Sequence, residues 1–328
     1  MRSAIVGEPS AIEQVYGEGR RQRIAALTEL HPVDISRANF DEQSDRLTDV
    51  EVILGTWGLG LIDGEKLAAL PRLRAVFYGA SSVQAFGGPL LERGIALYSA
   101  WQANAVFVAR MTLGLVLLAC KGFFQNARDC RLGGARGGVF FGPGAFDATI
   151  AILGAGTTGR ALIELLRPIR LKLIVFDPFL PDAEARELGV EKVSLDQAFD
   201  RALVVSNHLA AKPQTDGLIN GPLLRSMPDR ATLINTGRGR TVNHAELIDT
   251  LRNRPDLTAL LDVTDSATDK QMRLLRELPN VVISSHIAGA INRERLAIGD
   301  AVIEQFQQWR AGQQPAGRVT QQMLATMA

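Results

Sequence analysis

Short apolar runs alternate with helical patterns through the first hundred residues of the chain. The apolar runs occupy residues 2–7, 50–54, 75–78 and 95–98. The helical patterns occupy residues 12–30, 66–70 and 89–92. Buried parallel strands are continuous apolar runs bounded by turn residues, and helices repeat apolar positions every three to four residues. The pattern therefore predicts that parallel β/α units open the chain.

The alternation becomes regular after residue 148. Strand patterns occupy residues 149–153, 172–176, 203–206, 232–235, 257–261 and 281–285. Helical patterns between them occupy residues 160–166, 195–199 and 245–251. Strands that alternate with helices are typical of a doubly wound parallel sheet with helices on both faces. The fold class predicted for this part is therefore α/β.

Three further segments separate or flank these patterns. Residues 104–127 have a long apolar helical pattern, which indicates either a domain connector or a plain buried helix. A glycine-rich loop follows at residues 132–146, and a last long helical pattern at residues 293–310 lies outside the alternation. We expect this last helix to cross back to the first domain.

Composition narrows the class of protein. A chain of 328 residues with 46% hydrophobic and 22% charged residues has the length of two globular domains. The net charge of +1 provides no basic surface for nucleic acid or anionic membranes, so the expected partner is a small molecule or a second copy of the chain. The apolar stretch at residues 103–120 contains Asn104 and Arg110, which favours a buried helix over a membrane span.

The cysteines and histidines exclude other classes of site. Two cysteines and no start that resembles a secretory signal predict a reducing cytoplasm and no disulfide framework. The four histidines and two cysteines do not have the spacing of metal ligands, so no metal is expected. The patterns of serine hydrolases and P-loop proteins are also missing from the sequence.

A glycine motif follows the strand pattern that ends at Leu153. Gly154, Gly156 and Gly159 form a GxGxxG that precedes a helical pattern, which is the context of a dinucleotide fingerprint. The next strand pattern ends at Asp177, 18 residues after Gly159, where a carboxylate can bind the adenosine ribose hydroxyls. Since a carboxylate repels a 2′-phosphate and no arginine directly follows it, the motif predicts NAD rather than NADP.

Two other predicted strands end in residues that suit catalysis. Arg238 follows the strand at residues 232–235 and can bind a substrate carboxylate through two parallel hydrogen bonds, although a solvated surface arginine is the alternative. Arg240 fits that alternative better. His286 follows the strand at residues 281–285, and histidine is a suitable proton donor for the reduction of a ketone, although a lone histidine after a strand is more often a structural residue. His31, His208 and His244 have no comparable setting.

Taken together, the motifs resemble the NAD-dependent D-2-hydroxyacid dehydrogenases, which include glyoxylate/hydroxypyruvate reductases and phosphoglycerate dehydrogenase. The resemblance rests on GAGTTGR, Asp177-Pro178, LINTGRGRTVNHAELIDTL, LLDVTD and SSHIAGA, and it extends from about residue 50 to the C-terminus. It implies a Rossmann cofactor domain at residues 101–290, inserted in a flavodoxin-like substrate domain. Residues 1–100 and 291–328 would form that substrate domain.

The resemblance also implies the functional residues. Arg238 matches the arginine that binds the substrate carboxylate, and His286 matches the acid/base. Asp262 matches the carboxylate near the nicotinamide carboxamide. The residues implied to bind NAD are Gly154, Gly156, Thr157, Thr158, Gly159, Asp177, Thr236, Arg238, Asp262, His286 and Gly289. The residues implied to bind the substrate are Trp57, Ala80, Ser81, Ser82 and Arg238.

The sequence departs from the family pattern at one catalytic position. The family has a glutamate followed by proline five residues after the aspartate of LDV, and this glutamate stabilises the protonated histidine. Ala267 and Thr268 occupy those positions here. Asp265 or Asp269 would have to take over that role from a different spacing. Arg110 also stands where the family usually has a glutamate.

The expected activity is hydride transfer between NAD(H) and a small 2-oxo acid and its D-2-hydroxy acid. The alternative is a catalytically impaired NAD-binding protein that acts by cofactor-dependent assembly, and Ala267 is its main support. The presence of both Arg238 and His286 favours the enzyme. The resemblance further implies a homodimer that involves the long helix after Asn104, and no nucleic acid or membrane partner is expected.

Overall fold

The computed structural model describes residues 1–62, 64–131 and 144–326. Within them the chain forms two compact units, of which unit 1 comprises Met1–Asn104 and Ala290–Ala328 and unit 2 comprises Ala105–Gly289. The strands are β1 (Arg2–Val6), β2 (Glu29–Leu30), β3 (Val50–Gly55), β4 (Ala75–Tyr78), β5 (Ala96–Ser99), β6 (Thr149–Leu153), β7 (Lys172–Phe176), β8 (Glu191–Lys192), β9 (Val204–Asn207), β10 (Thr232–Asn235), β11 (Thr258–Leu261), β12 (Val281–Ile283) and β13 (Arg318–Val319).

Helices connect most of these strands. The α-helices are α1 (Pro9–Tyr16), α2 (Arg20–Leu27), α3 (Phe40–Gln43), α4 (Gly87–Glu92), α5 (Trp101–Cys120), α6 (Phe123–Arg131), α7 (Thr157–Leu166), α8 (Asp182–Leu188), α9 (Leu195–Arg201), α10 (Gly221–Ser226), α11 (His244–Asn253), α12 (Asp269–Glu277), α13 (Glu294–Arg310) and α14 (Gln321–Thr326). Short 3-10 helices occur at Ser44–Arg46, Leu59–Leu61, Lys66–Ala69, Pro213–Thr215 and Gly239–Thr241.

Unit 1 contains a sheet in the order β13-β5-β4-β3-β1-β2. All neighbouring pairs are parallel except β13, which pairs antiparallel with β5. The parallel part has the order 2-1-3-4-5, which is that of flavodoxin-like sheets. The apolar strand pattern predicted this parallel core, whereas the antiparallel edge strand, made of only two residues, carries no such pattern.

Unit 2 contains a parallel sheet in the order β12-β11-β10-β9-β6-β7-β8. Counted from β6, its first six strands have the Rossmann order 3-2-1-4-5-6. Two apolar clusters cover the two faces of the sheet, one built around Phe199 and Leu233 and the other around Ile152 and Leu162. The predicted α/β fold class is thus confirmed for both units.

Several predicted helices differ from the observed ones. The single helix predicted at residues 12–30 is two helices, because the chain turns at Gly17–Gly19 with Gly19 in the left-handed region (φ 84°). The helix predicted at residues 104–127 is broken between α5 and α6 at Gly122 (φ 63°). Residues 132–143 of the predicted glycine-rich loop lie outside the described residues.

Helix α5 has a buried stripe and a more exposed side. Ala105, Ala109, Thr112 and Val116 recur every three to four residues and are buried. By length and composition alone α5 is apolar enough to cross a membrane, and core helices of soluble proteins share that property. That it does not span a membrane stays a prediction.

Candidate active site

The glycine motif connects β6 to α7 at the carboxyl edge of the unit 2 sheet. Gly154 has a φ of 93°, in the left-handed region that favours glycine. A Cβ on Gly159 would lie 2.1 Å from the carbonyl oxygen of Gly154, so the helix can approach the strand this closely only because Gly159 has no side chain. These two glycines are therefore required by the turn itself.

Gly156 has a different environment, and it matters for the cofactor. A Cβ on this residue would meet no atom within 4 Å, so the space above its backbone is open. Gly156 is also the N-cap of α7 and provides no side-chain cap, which leaves the first N–H groups of the helix available. An uncapped helix N-terminus behind an open glycine fits the pyrophosphate of a dinucleotide. Thr157 and Thr158 form the first turn of this helix.

The carboxylate of Asp177 lies beside the glycine turn, at the end of β7. One of its oxygens accepts a hydrogen bond from the N–H of Ala155 (2.8 Å), and the other accepts one from the N–H of Phe179 (2.8 Å). These bonds fix the carboxylate next to the glycine motif, where the sequence pattern predicts the adenosine ribose. The side chain of Phe179 is 91% exposed at the same edge.

Arg238 follows β10 and is half-buried. Its guanidinium donates to the carbonyl of Gly237 (2.9 Å), and it forms no ion pair with any carboxylate of the described residues. Burial lowers the pKa of Arg238, and the nearby negative charge of Asp265 partly offsets this effect. An arginine remains charged at physiological pH even so, and this one therefore retains donors for an anionic ligand. Arg240, by contrast, is exposed and pairs with Asp216, as expected of a surface arginine.

Asp262 follows β11 and organises the segment after β12. Its carboxylate accepts hydrogen bonds from the hydroxyl of Ser284 (2.6 Å) and from the N–H groups of Ile287 (2.9 Å) and Ala288 (2.9 Å). Its backbone carbonyl accepts the N–H of His286 (3.0 Å). With only 4% of its surface exposed, Asp262 holds the turn that carries His286 and leads to Gly289.

His286 is exposed and has an uncommon backbone conformation, with a φ of 59°. Residues other than glycine seldom occupy this left-handed region, and they often do so where function requires it. The hydrogen bonds to Asp262 on either side of the residue maintain the conformation. The imidazole is thus presented to solvent at the carboxyl edge of the sheet.

The segment after β11 contains Ala267 and Thr268, which stand where the family has glutamate and proline. The N–H of Ala267 donates to the carbonyl of Thr264 (2.9 Å), and Thr268 is the N-cap of α12 in a reciprocal capping box with Gln271. Asp265 accepts the N–H of Gly239 (2.9 Å), and Asp269 lies in the first turn of α12. Neither aspartate forms a hydrogen bond or an ion pair with His286 in the described part of the chain. The structure therefore offers no carboxylate partner for that histidine from this segment.

His208 and Thr236 also lie at this edge of the sheet. Burial lowers the pKa of His208 to about 4, so its imidazole is neutral at physiological pH, and it shares a 2.8 Å hydrogen bond with Ser206. Thr236 is nearly buried, and its hydroxyl lies 3.1 Å from that of Thr112 in α5. The described residues contain no cluster of histidine, cysteine and acidic side chains that could hold a metal ion.

Apart from Arg238, the residues predicted to bind the substrate lie in unit 1. The hydroxyl of Ser99 donates to the carbonyls of Ala80 (2.8 Å) and Ser81 (2.7 Å), which fixes the turn that continues to Ser82. In the same unit the guanidinium of Arg295 lies 4.6 Å from the ring centroid of Trp57. The role of these residues in substrate binding stays a prediction.

The structure places further polar residues at the site that the sequence did not single out. Ser284 binds Asp262, and the buried side chains of Asn207, Asn235 and Thr241 lie beneath Arg238. The one available signal was that β9 and β10 both end in asparagine, a polar residue at the end of a buried apolar run. Their mutual contacts join segments far apart in sequence, which periodicity does not show.

Comparison with known proteins identifies related sequences and folds. The family model described as "D-isomer specific 2-hydroxyacid dehydrogenase, NAD binding domain" matches residues 113–288. The chain is 28% identical to D-3-phosphoglycerate dehydrogenase of Mycobacterium leprae over 257 residues, which cover 77% of this chain and 48% of that protein. It is also 31% identical to an uncharacterized protein of Corynebacterium melassecola over 240 residues. These residues cover 70% of this chain and 78% of that protein.

Among solved structures, a phosphoglycerate oxidoreductase from Rhizobium etli superimposes with a TM-score of 0.77 at 24% identity and covers 98% of both chains. This likeness confirms the fold. The chain spans about half the length of the curated phosphoglycerate dehydrogenases it matches. The model that matches unit 2 is that of an NAD-binding domain, which confirms NAD as the expected cofactor.

Proposed function

The chain belongs to the D-isomer specific 2-hydroxyacid dehydrogenase family, and on this premise we propose that it interconverts a small 2-oxo acid and its D-2-hydroxy acid with NAD(H). The observation that supports this most directly is the arrangement of unit 2. The glycine turn, Asp177, Arg238, Asp262 and His286 all follow strands of one parallel sheet at its carboxyl edge. Open α/β sheets bind their ligands at this edge.

Each residue has a distinct task in the proposed reaction. NADH, when bound, supplies the hydride that reduces the carbonyl carbon of a 2-oxo acid. The first turn of α7 and Asp177 would hold the cofactor through its pyrophosphate and ribose. The guanidinium of Arg238 binds the substrate carboxylate with two parallel hydrogen bonds, which fixes the position of the adjacent carbonyl carbon.

His286 provides the proton in the reductive direction. Its imidazolium donates a proton to the ketone oxygen as the alcohol forms, and the neutral imidazole takes that proton back in the oxidative direction. Asp262 acts on this step only through the backbone, since its hydrogen bonds fix the turn around His286. The exposure of the imidazole is consistent with a role toward a bound ligand.

The proposal is tested by the oxidation of NADH with glyoxylate, hydroxypyruvate, pyruvate and phenylpyruvate, from mildly acidic to neutral pH, with NADPH as the cofactor control. Arg238→Gln is expected to lower kcat/KM by about 10–100-fold, because it removes a hydrogen-bonded ion pair with the substrate. Arg240→Gln is the matched control and is expected to stay within about twofold of the wild type, since Arg240 pairs with Asp216 at the surface.

Equal effects of the two substitutions would contradict the role of Arg238. If the wild type turns over none of the four acids while NADH still binds, as measured by fluorescence, the enzyme proposal fails. Turnover that increases toward acid pH would support a histidine that works without a carboxylate partner.

The second candidate is a binding protein that retains the NAD site but has lost efficient chemistry. It is favoured by Ala267, and by the finding that the hydrogen bonds of the described residues do not join His286 to Asp265 or Asp269. Ala267→Glu distinguishes the two functions. A large rise in turnover at neutral pH would indicate a dehydrogenase site with a weakened acid/base, and no turnover before or after the substitution would favour the binding protein.

We further propose that the protein is a cytoplasmic homodimer without nucleic acid or membrane partners. The exposed side chains of Val106 and Leu118 on α5 support an association between copies. Analytical ultracentrifugation of the wild type and of Leu118→Asp tests this proposal. A monomeric wild type at micromolar concentration would contradict it.

A further inference from the structure

Three polar side chains with no exposed surface meet beneath the turn that carries Arg238. They are Asn207 at the end of β9, Asn235 at the end of β10 and Thr241 in the 3-10 helix that follows Arg238. The amide of Asn207 donates to the Oδ1 of Asn235 (2.9 Å) and to the Oγ1 of Thr241 (2.7 Å). Asn207 therefore joins the two other side chains.

The other ends of the network are attached to the backbone around Arg238. The backbone carbonyl of Arg238 accepts hydrogen bonds from the amide of Asn235 (3.2 Å) and from the hydroxyl of Thr241 (2.7 Å). The Oδ1 of Asn235 accepts the N–H of Gly237 (3.1 Å). Arg238 is thus held by side chains at its carbonyl and at the residue that precedes it.

The hydrogen bonds allow one consistent arrangement of donors and acceptors. Because the amide nitrogen of Asn235 donates to the carbonyl of Arg238, its Oδ1 must face Asn207 and Gly237. Because the Thr241 hydroxyl donates to the same carbonyl, its oxygen must accept from Asn207. Each side chain therefore has a single orientation, and its hydrogen bonds fix the orientation of the backbone at Arg238.

A buried polar network is not needed to fill this space. Ile234 and Val205 in the same strands are buried and apolar, and apolar side chains at the ends of β9 and β10 would need no matched hydrogen bonds. What the polar network adds is direction, since hydrogen bonds fix the orientation of a backbone group more narrowly than apolar packing does. The group so fixed is the residue proposed to bind the substrate carboxylate.

We propose that Asn207 and Thr241 are positioning residues for Arg238, and that they set the affinity of this site for the carboxylate of a 2-oxo acid. The inference rests on the proposed function of Arg238. Carboxylate binding contributes about equally to the ground state and the transition state, so its weakening raises KM more than it lowers kcat. Of the residues implied to bind NAD, those of the glycine turn and Asp177 follow β6 and β7 and do not belong to this network, so the affinity for NADH should be affected much less.

The test compares Thr241→Val, which keeps the shape but removes the hydroxyl, with Thr241→Ser, which keeps the hydroxyl. Thr241→Val is expected to raise KM for the 2-oxo acid about tenfold, with kcat within threefold and the Kd for NADH unchanged. Thr241→Ser should restore KM to within twofold of the wild type. The proposal is overturned if both variants behave alike, or if KM and the Kd for NADH rise together as in a general loss of structure.

Asn207→Leu provides a second variant that breaks the network at its centre. It is expected to raise KM to a similar extent, and the double variant with Thr241→Val should be no worse than either single variant, because both remove the same support. Additive effects would show separate roles and would overturn the proposal.

A binding measurement separates failure of this inference from failure of the proposed function. Oxalate is a carboxylate that cannot be reduced by hydride transfer, and its binding to the NADH-loaded protein is followed by NADH fluorescence. Weaker oxalate binding by Thr241→Val than by Thr241→Ser supports the positioning role even if no 2-oxo acid is turned over. Equal binding by the two variants overturns it, whatever the activity of the wild type.

Discussion

His286 combines a strained backbone with a solvent-exposed side chain. A non-glycine residue in the left-handed region costs about 1–2 kcal/mol, so the surrounding contacts must compensate. Asp262, which follows the neighbouring strand β11, does so by accepting hydrogen bonds from the hydroxyl of Ser284, before His286, and from the N–H groups of Ile287 and Ala288, after it. The conformation of the proposed acid/base thus depends on a residue that need not touch the substrate.

Replacement of Asp262 by asparagine tests this dependence. In Asp262→Asn one acceptor oxygen becomes an NH₂ group that faces backbone donors, so we expect a loss of about 1–3 kcal/mol in the stability of unit 2. Differential scanning calorimetry measures the change. Asp229→Asn is the control, because the Asp229 side chain is 97% exposed, and it should have little effect. Similar melting temperatures for the two variants would contradict the structural role of Asp262.

At this scale the sequence predicted residues but not their partners. Arg238 and His286 could be found because each is a chemically distinctive residue at the end of an apolar run. The hydrogen bonds of Asp262 to residues 284–288 could not, because they join segments more than twenty residues apart and depend on the turn after β12. The same holds for Asp265, whose contact with Gly239 depends on the fold of both segments.

The junction of β6 and α7 depends on glycines, which have no side chain. The helix begins directly at the glycine turn, and its first turn approaches the strand through Gly159. Gly156 leaves open space for a ligand at the same point. We therefore propose that two glycines three residues apart have separate tasks, Gly159 in packing and Gly156 in cofactor binding.

A matched pair of alanine substitutions separates these two tasks. Gly159→Ala would place a methyl group 2.1 Å from a backbone oxygen, so it should push α7 away from β6 and destabilise unit 2 by several kcal/mol. Gly156→Ala meets no protein atom and should leave the melting temperature within a few degrees. It should nevertheless weaken NADH binding at least tenfold, because its methyl group occupies the predicted pyrophosphate space. Equal NADH affinity of Gly156→Ala and the wild type would show that the cofactor lies elsewhere.

Helix α12 owes its start to the capping box of Thr268 and Gln271. Thr268→Ala removes the hydroxyl that accepts the N–H of Gln271 and is expected to cost about 1 kcal/mol, or a melting temperature lower by about 2–4 °C for a unit of this size. Thr268→Ser keeps the hydroxyl and should melt near the wild type. Calorimetry that shows no difference between these two variants would contradict the role of the cap.

Elements with strong apolar signals were the ones that the sequence predicted well. The strands at residues 75–78, 149–153, 172–176 and 232–235 have the predicted bounds, since each contains a continuous apolar stretch in a parallel sheet. Helices α8 and α12 were missed, and each fully buries a single residue, Ala185 or Leu275. Helices of seven and nine residues span only about two or three turns, so few apolar positions repeat within them.

On the scale of the whole molecule, unit 1 is assembled from two separate pieces of the chain. Helix α13 packs against α1 so closely that a Cβ on Gly299 would lie 1.9 Å from the carbonyl of Val15. Arg20 of α2 donates to the carbonyl of Leu296 (2.8 Å) and forms an ion pair with Asp300, which Arg23 also contacts. These contacts fix the C-terminal piece in place.

The ion pairs of Asp300 predict a pH dependence of unit 1. Burial raises the pKa of Asp300, but Arg20 and Arg23 outweigh it, so the pKa is lowered overall. A carboxylate whose pKa is lowered by folding stabilises the folded unit at any pH above its pKa in the unfolded chain, which is about 4. This contribution is lost as the pH falls from that value through the lower pKa of the folded state. Since the carboxylate is 41% exposed, the contribution is at most about 1 kcal/mol.

Asp300→Asn should therefore be less stable than the wild type at pH 7, and the difference should shrink below about pH 4. Urea unfolding followed by tryptophan fluorescence reports on unit 1 selectively, because Trp57, Trp101 and Trp309 all lie in it. A difference that is constant from pH 7 to pH 3 would contradict the assignment of this ion pair.

The division of unit 1 into two pieces also sets an order of events during synthesis. Unit 2 is continuous, so it can fold as soon as Ala105–Gly289 has left the ribosome. The first piece of unit 1 is made earlier but must wait for α13. At about 5–20 residues per second, translation of the 185 intervening residues takes about 10–40 s. During that time the part of β4 around Phe77 that Phe306 contacts in the folded protein stays exposed, so we expect this piece to be bound by chaperones that recognise apolar surface.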